Sequence, residues 1–208
     1  MKTLPRATFT SDGNDWQRYT IYSFEVWIEI DETDIETARR LALARLNEPQ
    51  RHLSVHRPTA RNLAAQYRGA AGEIAAGRWL GSNDFDIESG FMTDLSPASD
   101  LTVGTTRIEV MTAQIAHREV TGFCVPPNKL NAATWRGSVG YLFVGTGPEQ
   151  EPRRFLMQAF CLLEDVGRVA AIHTRVSEHS PSVLNHVVPA DKLQPVDELI
   201  ELLRARGS

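Results

Sequence analysis

Apolar and polar positions along this chain follow first the spacing of a strand and then that of a helix. Over residues 17–30, apolar side chains fall at every second position among β-branched and aromatic residues, which predicts a strand. From Ile35 to Leu46 they recur at helical spacing before Pro49, with Asp34 as the expected cap. Residues 1–57 are therefore predicted to form an N-terminal strand-helix extension.

A second helix is predicted over residues 59–81, where apolar residues line one side. Its interior contains Gly69, Gly72 and Gly77, and each interior glycine costs a helix about 1 kcal/mol relative to alanine. Three such residues indicate that the helix lies close against another backbone. Glu73 falls within this stretch of small residues.

The remainder of the chain mixes the two spacings. Residues 82–99 have the composition of a loop, and residues 100–113 predict a β-hairpin about Gly104. Further elements are predicted as strands over 122–126, 139–145 and 153–161, a short helix over 128–135, and a last helix that begins near Pro195. The fold class is therefore α/β.

The predicted hairpin places two acids opposite each other. If Gly104 and Thr105 form a two-residue turn, counting outward pairs Val103 with Thr106, Thr102 with Arg107, Leu101 with Ile108, and Asp100 with Glu109. Directly paired residues share a face, so the apolar residues bury one side of the hairpin. Asp100, Glu109 and Met111 then lie on the other side.

Two carboxylates at this spacing repel each other. At an effective dielectric of about 20, unit charges about 4 Å apart repel by roughly 4 kcal/mol. A hard divalent cation such as Mg²⁺ offsets this repulsion, because carboxylate oxygens are its preferred protein ligands. Two other outcomes stay open at this point: the acids splay into solvent, or Arg107 neutralises them.

The same residues resemble a known family. Asp100, followed nine positions later by Glu109 in the string GTTRIEVMTAQ, resembles the PD-(D/E)xK nuclease superfamily, whose second motif is an acid, an apolar residue and a lysine on a strand. The string GAAGEIAAGRWLG resembles the first helix of this group, in which a glutamate flanked by small residues approaches the metal. The likeness covers residues 60–115, and the following strand-helix-strand order suits the superfamily's core through about residue 147.

The resemblance implies a restriction-endonuclease-like αβββαβ core with a mixed central sheet, in a domain spanning residues 58–208. It also implies that Asp100 and Glu109 bind Mg²⁺, with Mn²⁺ as a substitute, and that the backbone carbonyl of Val110 supplies a further oxygen. Glu73 would bind the ion directly or through water, and Gln114 would line the site from farther along. The implied reaction is hydrolysis of phosphodiester bonds in DNA, in which the metal lowers the pKa of the attacking water.

Met111 departs from the family pattern. It stands where the superfamily has a lysine that orients water and supplies positive charge, and a thioether has neither a proton to give nor a charge. Three explanations stay open: an engineered lysine-to-methionine substitution, a naturally degenerate nuclease, or a basic residue such as Lys129 that reaches in from elsewhere. Since the residues around Met111 otherwise keep the pattern, a natural or engineered loss in an otherwise intact site is favoured.

Charge and composition change this picture little. The formal net charge of −4 neither indicates nor excludes a basic cleft beside an acidic metal site. Lys129, Arg118 and Arg136 lie beyond the motif strand and are candidates for contacts with nucleic-acid phosphates, although such residues are more often solvated surface. Trp79 and Trp135 are expected in the core because their neighbours are apolar. With no secretory-type or bilayer-length apolar run, a cytoplasmic protein without membrane contact is expected.

These inferences lead to a ranked set of hypotheses. The first is a Mg²⁺-dependent DNA endonuclease of restriction or phage-defence type, with Met111 in place of the catalytic lysine and with a homodimer or a larger defence complex as its assembly. The alternative is a catalytically inactive nuclease-fold protein that binds DNA or a partner. A purely structural domain is the third.

Overall fold

The computed structural model describes residues 26–47, 60–89, 100–114, 123–174, 183–189 and 192–207. In chain order its elements are β1 (Val26–Glu29), α1 (Glu32–Asn47), α2 (Ala60–Gly81), β2 (Ile87–Ser89), β3 (Leu101–Val103), β4 (Thr106–Gln114), β5 (Phe123–Val125), α3 (Pro127–Arg136), β6 (Gly140–Thr146), β7 (Arg154–Leu162), α4 (Leu163–Arg168), β8 (Ala171–Thr174), β9 (Val183–Val188) and α5 (Val196–Gly207). The predicted mixed α/β class is confirmed.

The central sheet has six strands in the order β1-β7-β6-β4-β3-β2. Strands β4 and β6 are parallel, and the other neighbouring strands are antiparallel, so the sheet is mixed. A parallel pair needs a crossover connection, and here the chain between β4 and β6 contains β5 and α3. A smaller sheet has the order β5-β9-β8. This arrangement gives β4 a central position, with a strand paired on each side.

The first strand and the first helix correspond to the two N-terminal elements that the sequence predicts. Strand β1 covers the last part of the predicted 17–30 strand, and residues 17–25 lie outside the described part of the chain. Helix α1 begins earlier than expected, because Asp31 is its cap. The Asp34 backbone N–H donates to Asp31 Oδ1 at 3.1 Å, and the Asp31 N–H donates to Asp34 Oδ2 at 3.3 Å. Asp34 therefore completes a reciprocal capping box with acidic residues at both positions.

Both N-terminal elements join the main core. Strand β1 extends the central sheet by pairing with β7. Ile35, Ala38 and Ala42 of α1 are buried in one hydrophobic cluster with residues of α2 and β4. The predicted 1–57 extension thus contributes its described residues to the same sheet and the same core.

Four short elements, β2, α4, β8 and β9, lie where the sequence predicts no element. Strand β2 falls in the 82–99 segment read as a loop, and its three residues pair with β3 at the edge of the sheet. Strands β8 and β9 pair with each other at the edge of the smaller sheet. Strands of three to six residues have too few positions to show a periodicity, so their partners define them.

Helix α2 packs closely on β4 at one glycine. A Cβ added at Gly72 would lie 1.9 Å from Thr112 Oγ1, whereas a Cβ at Gly69 or Gly77 would meet its nearest atom at 3.7 Å. The expected close approach is therefore needed at Gly72 alone, and its neighbour is a side chain rather than a backbone. This contact sets the position of Glu73, the next residue on the helix.

Replacing Gly72 by alanine is expected to lower the free energy of unfolding by about 1–3 kcal/mol, because the added methyl would overlap Thr112 and push α2 away from β4. Gly77→Ala is the matched control, since its methyl would make an ordinary contact with Leu101. It should leave stability unchanged or raise it by up to about 1 kcal/mol, the gain in helix propensity. Urea unfolding followed by circular dichroism measures both changes, and equal effects of the two variants would contradict this packing.

Candidate functional site

Strand β4 carries apolar residues on one face and Glu109 on the other. Ile108 and Val110 belong to the hydrophobic cluster that includes α2. Met111 packs against the second cluster, which contains Tyr141 and Phe143 of β6. Glu109 aligns with Tyr141 across the parallel β4–β6 ladder and is 4% exposed. A carboxylate therefore lies buried on the inner side of a central strand, where an unpaired charge is costly.

The hairpin register is confirmed at the three pairs that belong to the ladder: Leu101 with Ile108, Thr102 with Arg107, and Val103 with Thr106. Gly104 opens the turn with φ 57°, a left-handed conformation that favours glycine. The expected fourth pair is replaced by a different contact, because Asp100 precedes β3. Its carboxylate Oδ2 accepts a hydrogen bond from the Val110 backbone N–H at 2.8 Å.

Glu73 of α2 reaches the same region from the other layer. It is 5% exposed, and its carboxylate oxygens accept hydrogen bonds from Arg45 Nη1 at 3.0 Å and Nη2 at 2.6 Å. Burial and the negative charge of Asp100 raise the pKa of Glu73 to about 7, against the opposing effect of Arg45. Glu73 and Asp100 are thus close enough to repel.

Glu109 accepts hydrogen bonds from Arg136, the last residue of α3, and from Ser138, two residues later. Ser138 Oγ donates to Glu109 Oε1 at 2.7 Å, and Arg136 Nη1 donates to both carboxylate oxygens at 3.1 and 3.3 Å. Burial and the charge of Asp100 raise the pKa of Glu109, while Ser138 and Arg136 lower it. Asp100 therefore acts on both glutamates, and the three acids form one electrostatic cluster, here called the acid cluster (Glu73, Asp100 and Glu109).

The cations that face the acid cluster are arginines of other elements. The proposal that Arg107 neutralises the hairpin acids is wrong, because its Nη1 donates to the backbone carbonyl of Arg136 at 2.6 Å. Arg45 and Arg136 pair with the two glutamates instead. Within the described residues, no three His, Cys, Asp or Glu side chains are arranged to hold a metal ion as they stand. The donors suit a hard cation by their chemistry, but Glu73 or Glu109 would have to turn from its arginine to bind one.

The other residues predicted for the site are spread along β4. Met111 is half-buried on the same side of the strand as Glu109, as predicted from the period of two. Val110 pairs with Leu142 in the parallel ladder. Gln114 is exposed at the end of β4. The structure thus brings Met111 beside Glu109 and leaves Gln114 at the rim.

Of the predicted phosphate contacts, Lys129 and Arg136 lie in α3, and Arg118 lies outside the described residues. Lys129 is exposed near the start of α3. It stands two helical turns from Arg136 and therefore on the same side of α3. Its charge lowers the pKa of Glu73, so its ammonium lies within electrostatic range of that carboxylate.

Sequence reasoning missed Arg45, Ser138 and Tyr141 as parts of this region. Arg45 follows the buried face of α1, but nothing in its own helix indicates the glutamate across from it. Tyr141 carries a polar atom within an apolar strand, and that contrast is a usable signal. The expectation for Trp79 is confirmed at 4% exposure, whereas that for Trp135 is wrong at 77% exposure, because α3 buries only Leu130 and Ala133.

No family model, no curated protein and no solved structure matches this chain. Among the helices that the structure describes, none combines the length and apolar character needed to cross a membrane. The acid cluster and its surroundings are therefore the basis for a proposed function.

The acid cluster predicts how stability changes with pH when a chelator is present. Because the folded state raises the pKa of Glu73 above its usual value of 4.5 to about 7, this carboxyl favours folding in its protonated form. Its contribution is fully present at low pH and is lost as the pH rises through about 7. The melting temperature of the wild-type protein should thus fall from pH 5 to pH 8 by more than that of Glu73→Gln.

Calorimetry at matched ionic strength measures this difference. Glu88→Gln, which changes an exposed carboxyl of β2, is the control and should keep the wild-type slope. A Glu73→Gln protein with an unchanged slope would mean that Arg45 holds the Glu73 carboxylate ionised throughout.

Proposed function

We propose that this protein is a Mg²⁺-dependent DNA endonuclease whose turnover is limited by Met111. The observation that carries the proposal is the acid cluster itself: the carboxylate of Asp100, before β3, acts electrostatically on Glu73 of α2 and on Glu109 of β4, both of which are buried. Each comes from a different part of the chain, and the raised pKa values of both glutamates follow from burial and from Asp100. Such a convergence of buried acids is typical of functional sites.

The order of elements supports a restriction-endonuclease-like core. From α2 onward, the chain forms one helix, the three antiparallel strands β2, β3 and β4, then α3 after the short β5, and then β6 parallel to β4. Apart from β5, which belongs to the smaller sheet, this order is consistent with the αβββαβ core that the resemblance to the PD-(D/E)xK nucleases implies. Glu73 lies on the first helix of that order, and Glu109 lies on its third strand.

The donor chemistry supports Mg²⁺, with Mn²⁺ as a substitute. Carboxylate oxygens of Asp100 and Glu109, a backbone carbonyl such as that of Val110, and water are ligands that hard divalent cations prefer. When bound, the ion would lower the pKa of a water molecule and neutralise charge on the phosphate. Arg136 and Arg45 would then be close to the substrate, and guanidinium groups bind phosphate oxygens in pairs.

Met111 is the part of the site that limits the proposed reaction. It packs against apolar residues of the second cluster and contributes no charge. Losing one preorganised electrostatic contact commonly lowers a rate by about 10²–10³. Lys129, on the side of α3 that carries Arg136, is the cation best placed to compensate in part.

Met111→Lys is expected to raise the rate of Mg²⁺-dependent DNA cleavage by a factor of about 10²–10³. The reason is that position 111 lies two residues after Glu109 on the same strand, so a lysine ammonium there can reach the acid cluster. The measurement is cleavage of supercoiled plasmid and of single-stranded DNA with Mg²⁺ or with chelator. Met111→Leu is the matched control and should leave the rate unchanged.

Adding Asp100→Asn to the Met111→Lys protein should abolish the gained activity, which separates it from a contaminating nuclease. If Met111→Lys is folded and remains inactive on modified and unmodified DNA, the endonuclease proposal fails.

A second candidate function is DNA binding without cleavage. The pairing of Glu73 with Arg45 and of Glu109 with Arg136 favours it, because both glutamates are neutralised by the chain itself. The discriminating result is DNA binding that does not depend on Mg²⁺, together with no cleavage by the lysine variant.

Arg136→Met is expected to destabilise the protein by about 1–3 kcal/mol in chelator, because it leaves the buried Glu109 carboxylate without its cation. Added Mg²⁺ should raise the melting temperature of this variant more than that of the wild-type protein, since the ion no longer competes with Arg136. Arg39→Met removes a surface pair with Glu151 and is the control. An equal response to Mg²⁺ in all three proteins would contradict a metal site at Glu109.

A further inference from the structure

Tyr141 has a buried hydroxyl that lacks a partner in the described part of the chain. The residue is 1% exposed, and no described group forms a hydrogen bond with its hydroxyl oxygen. Tyr67, the other fully buried tyrosine among the described residues, donates to the Pro152 carbonyl at 3.5 Å. A buried hydroxyl without a partner is unfavourable, and phenylalanine would fill the same space without that cost.

The ring of Tyr141 is fixed by aromatic packing. Its centroid lies 6.2 Å from that of Phe143, and Phe143 in turn stacks on Phe123 with a centroid distance of 4.0 Å. A ring held in this way has little freedom to turn its hydroxyl toward another acceptor. The direction of the hydroxyl is therefore a property of the folded core.

That direction leads toward the acid cluster. Tyr141 aligns with Glu109 across the parallel β4–β6 ladder, so the two side chains share a face of the sheet. Burial raises the pKa of Tyr141, and the charges of Glu109 and Asp100 raise it further, so both carboxylates lie within electrostatic range of the phenol. A tyrosine hydroxyl can donate a hydrogen bond.

We propose that Tyr141 is a ligand-contacting residue of the acid cluster, and that its hydroxyl donates a hydrogen bond to an oxygen atom bound there with a divalent cation. The oxygen belongs either to a cation-bound water molecule or to a phosphate group. This inference rests on the proposed function, because it needs a cation at Asp100 and Glu109. Tyr141 of β6 would thus supply a hydrogen-bond donor that Met111 of β4 cannot supply.

Tyr141→Phe tests the inference, with Tyr67→Phe as the matched loss of a buried hydroxyl at a distance from the acid cluster. Two calorimetric titrations are used: Mn²⁺ into each protein, and inorganic phosphate into each Mn²⁺-saturated protein. One lost hydrogen bond should weaken binding about 3–10-fold. Weaker Mn²⁺ binding by Tyr141→Phe alone identifies bound water as the partner, and weaker phosphate binding alone identifies phosphate.

Thermal unfolding in chelator provides a readout that does not depend on a ligand. Tyr141→Phe should be as stable as the wild-type protein or more stable, because it removes an unpartnered hydroxyl, whereas Tyr67→Phe should be less stable. If Tyr141→Phe is destabilised in chelator and binds both Mn²⁺ and phosphate like the wild-type protein, the hydroxyl has a structural role and the inference is overturned. If the wild-type protein binds no Mn²⁺, the proposed function fails and the inference fails with it.

Discussion

The carboxylate of Glu109 is buried on a central strand, and the neighbouring groups must compensate its charge. Ser138 and Arg136, at the end of α3, bind it directly. Asp100 lies close by, because its own carboxylate accepts the Val110 N–H from the same strand. Glu73 adds a third acid from α2, where Gly72 allows the helix to approach Thr112. Strand β4, helices α2 and α3 and the residue before the hairpin thus hold two buried glutamates and the half-buried Asp100, which acts electrostatically on both.

In the structure, arginines neutralise the two glutamates. The proposed cation would be a second way to neutralise these carboxylates. Arg45 and Arg136 each pair with one glutamate. A cation would therefore have to compete with an arginine for the carboxylate that binds it. In the proposed nuclease, a guanidinium released from its glutamate would lie beside the phosphate that the cation attracts. The arginine pairs also explain how both glutamates can be buried. Met111 and Tyr141, from adjacent strands, would form the apolar and hydrogen-bonding sides of the proposed site.

Local signals predicted the turn and the three ladder pairs of the hairpin, but not the contact that Asp100 makes with the Val110 N–H in place of the expected pairing with Glu109. The period of two and the glycine at the turn fix the register of Leu101 with Ile108, because a slip by one residue would expose the apolar face. The arginine partners were not predictable in this way, since Arg45 meets Glu73 only through the packing of α1 on α2. The exposure of Trp135 was not predictable for the same reason, because it depends on which residues of α3 pack against the rest of the protein. Membership of the nuclease superfamily stays a prediction, as do the metal-binding roles that the resemblance implies for Glu73 and Asp100.

The most direct test of this account is an anomalous difference map from crystals of the wild-type protein soaked in Mn²⁺ at about pH 8, above the value of about 7 to which burial and Asp100 raise the pKa of Glu73. The account predicts a single strong peak bound to oxygens of Asp100 and Glu109 at about 2.1 Å, with the Arg136 guanidinium turned away from Glu109. A map without a peak, in which Arg136 still binds Glu109 and Arg45 still binds Glu73, would contradict it. In that case the arginines alone neutralise the acid cluster, and its role is structural.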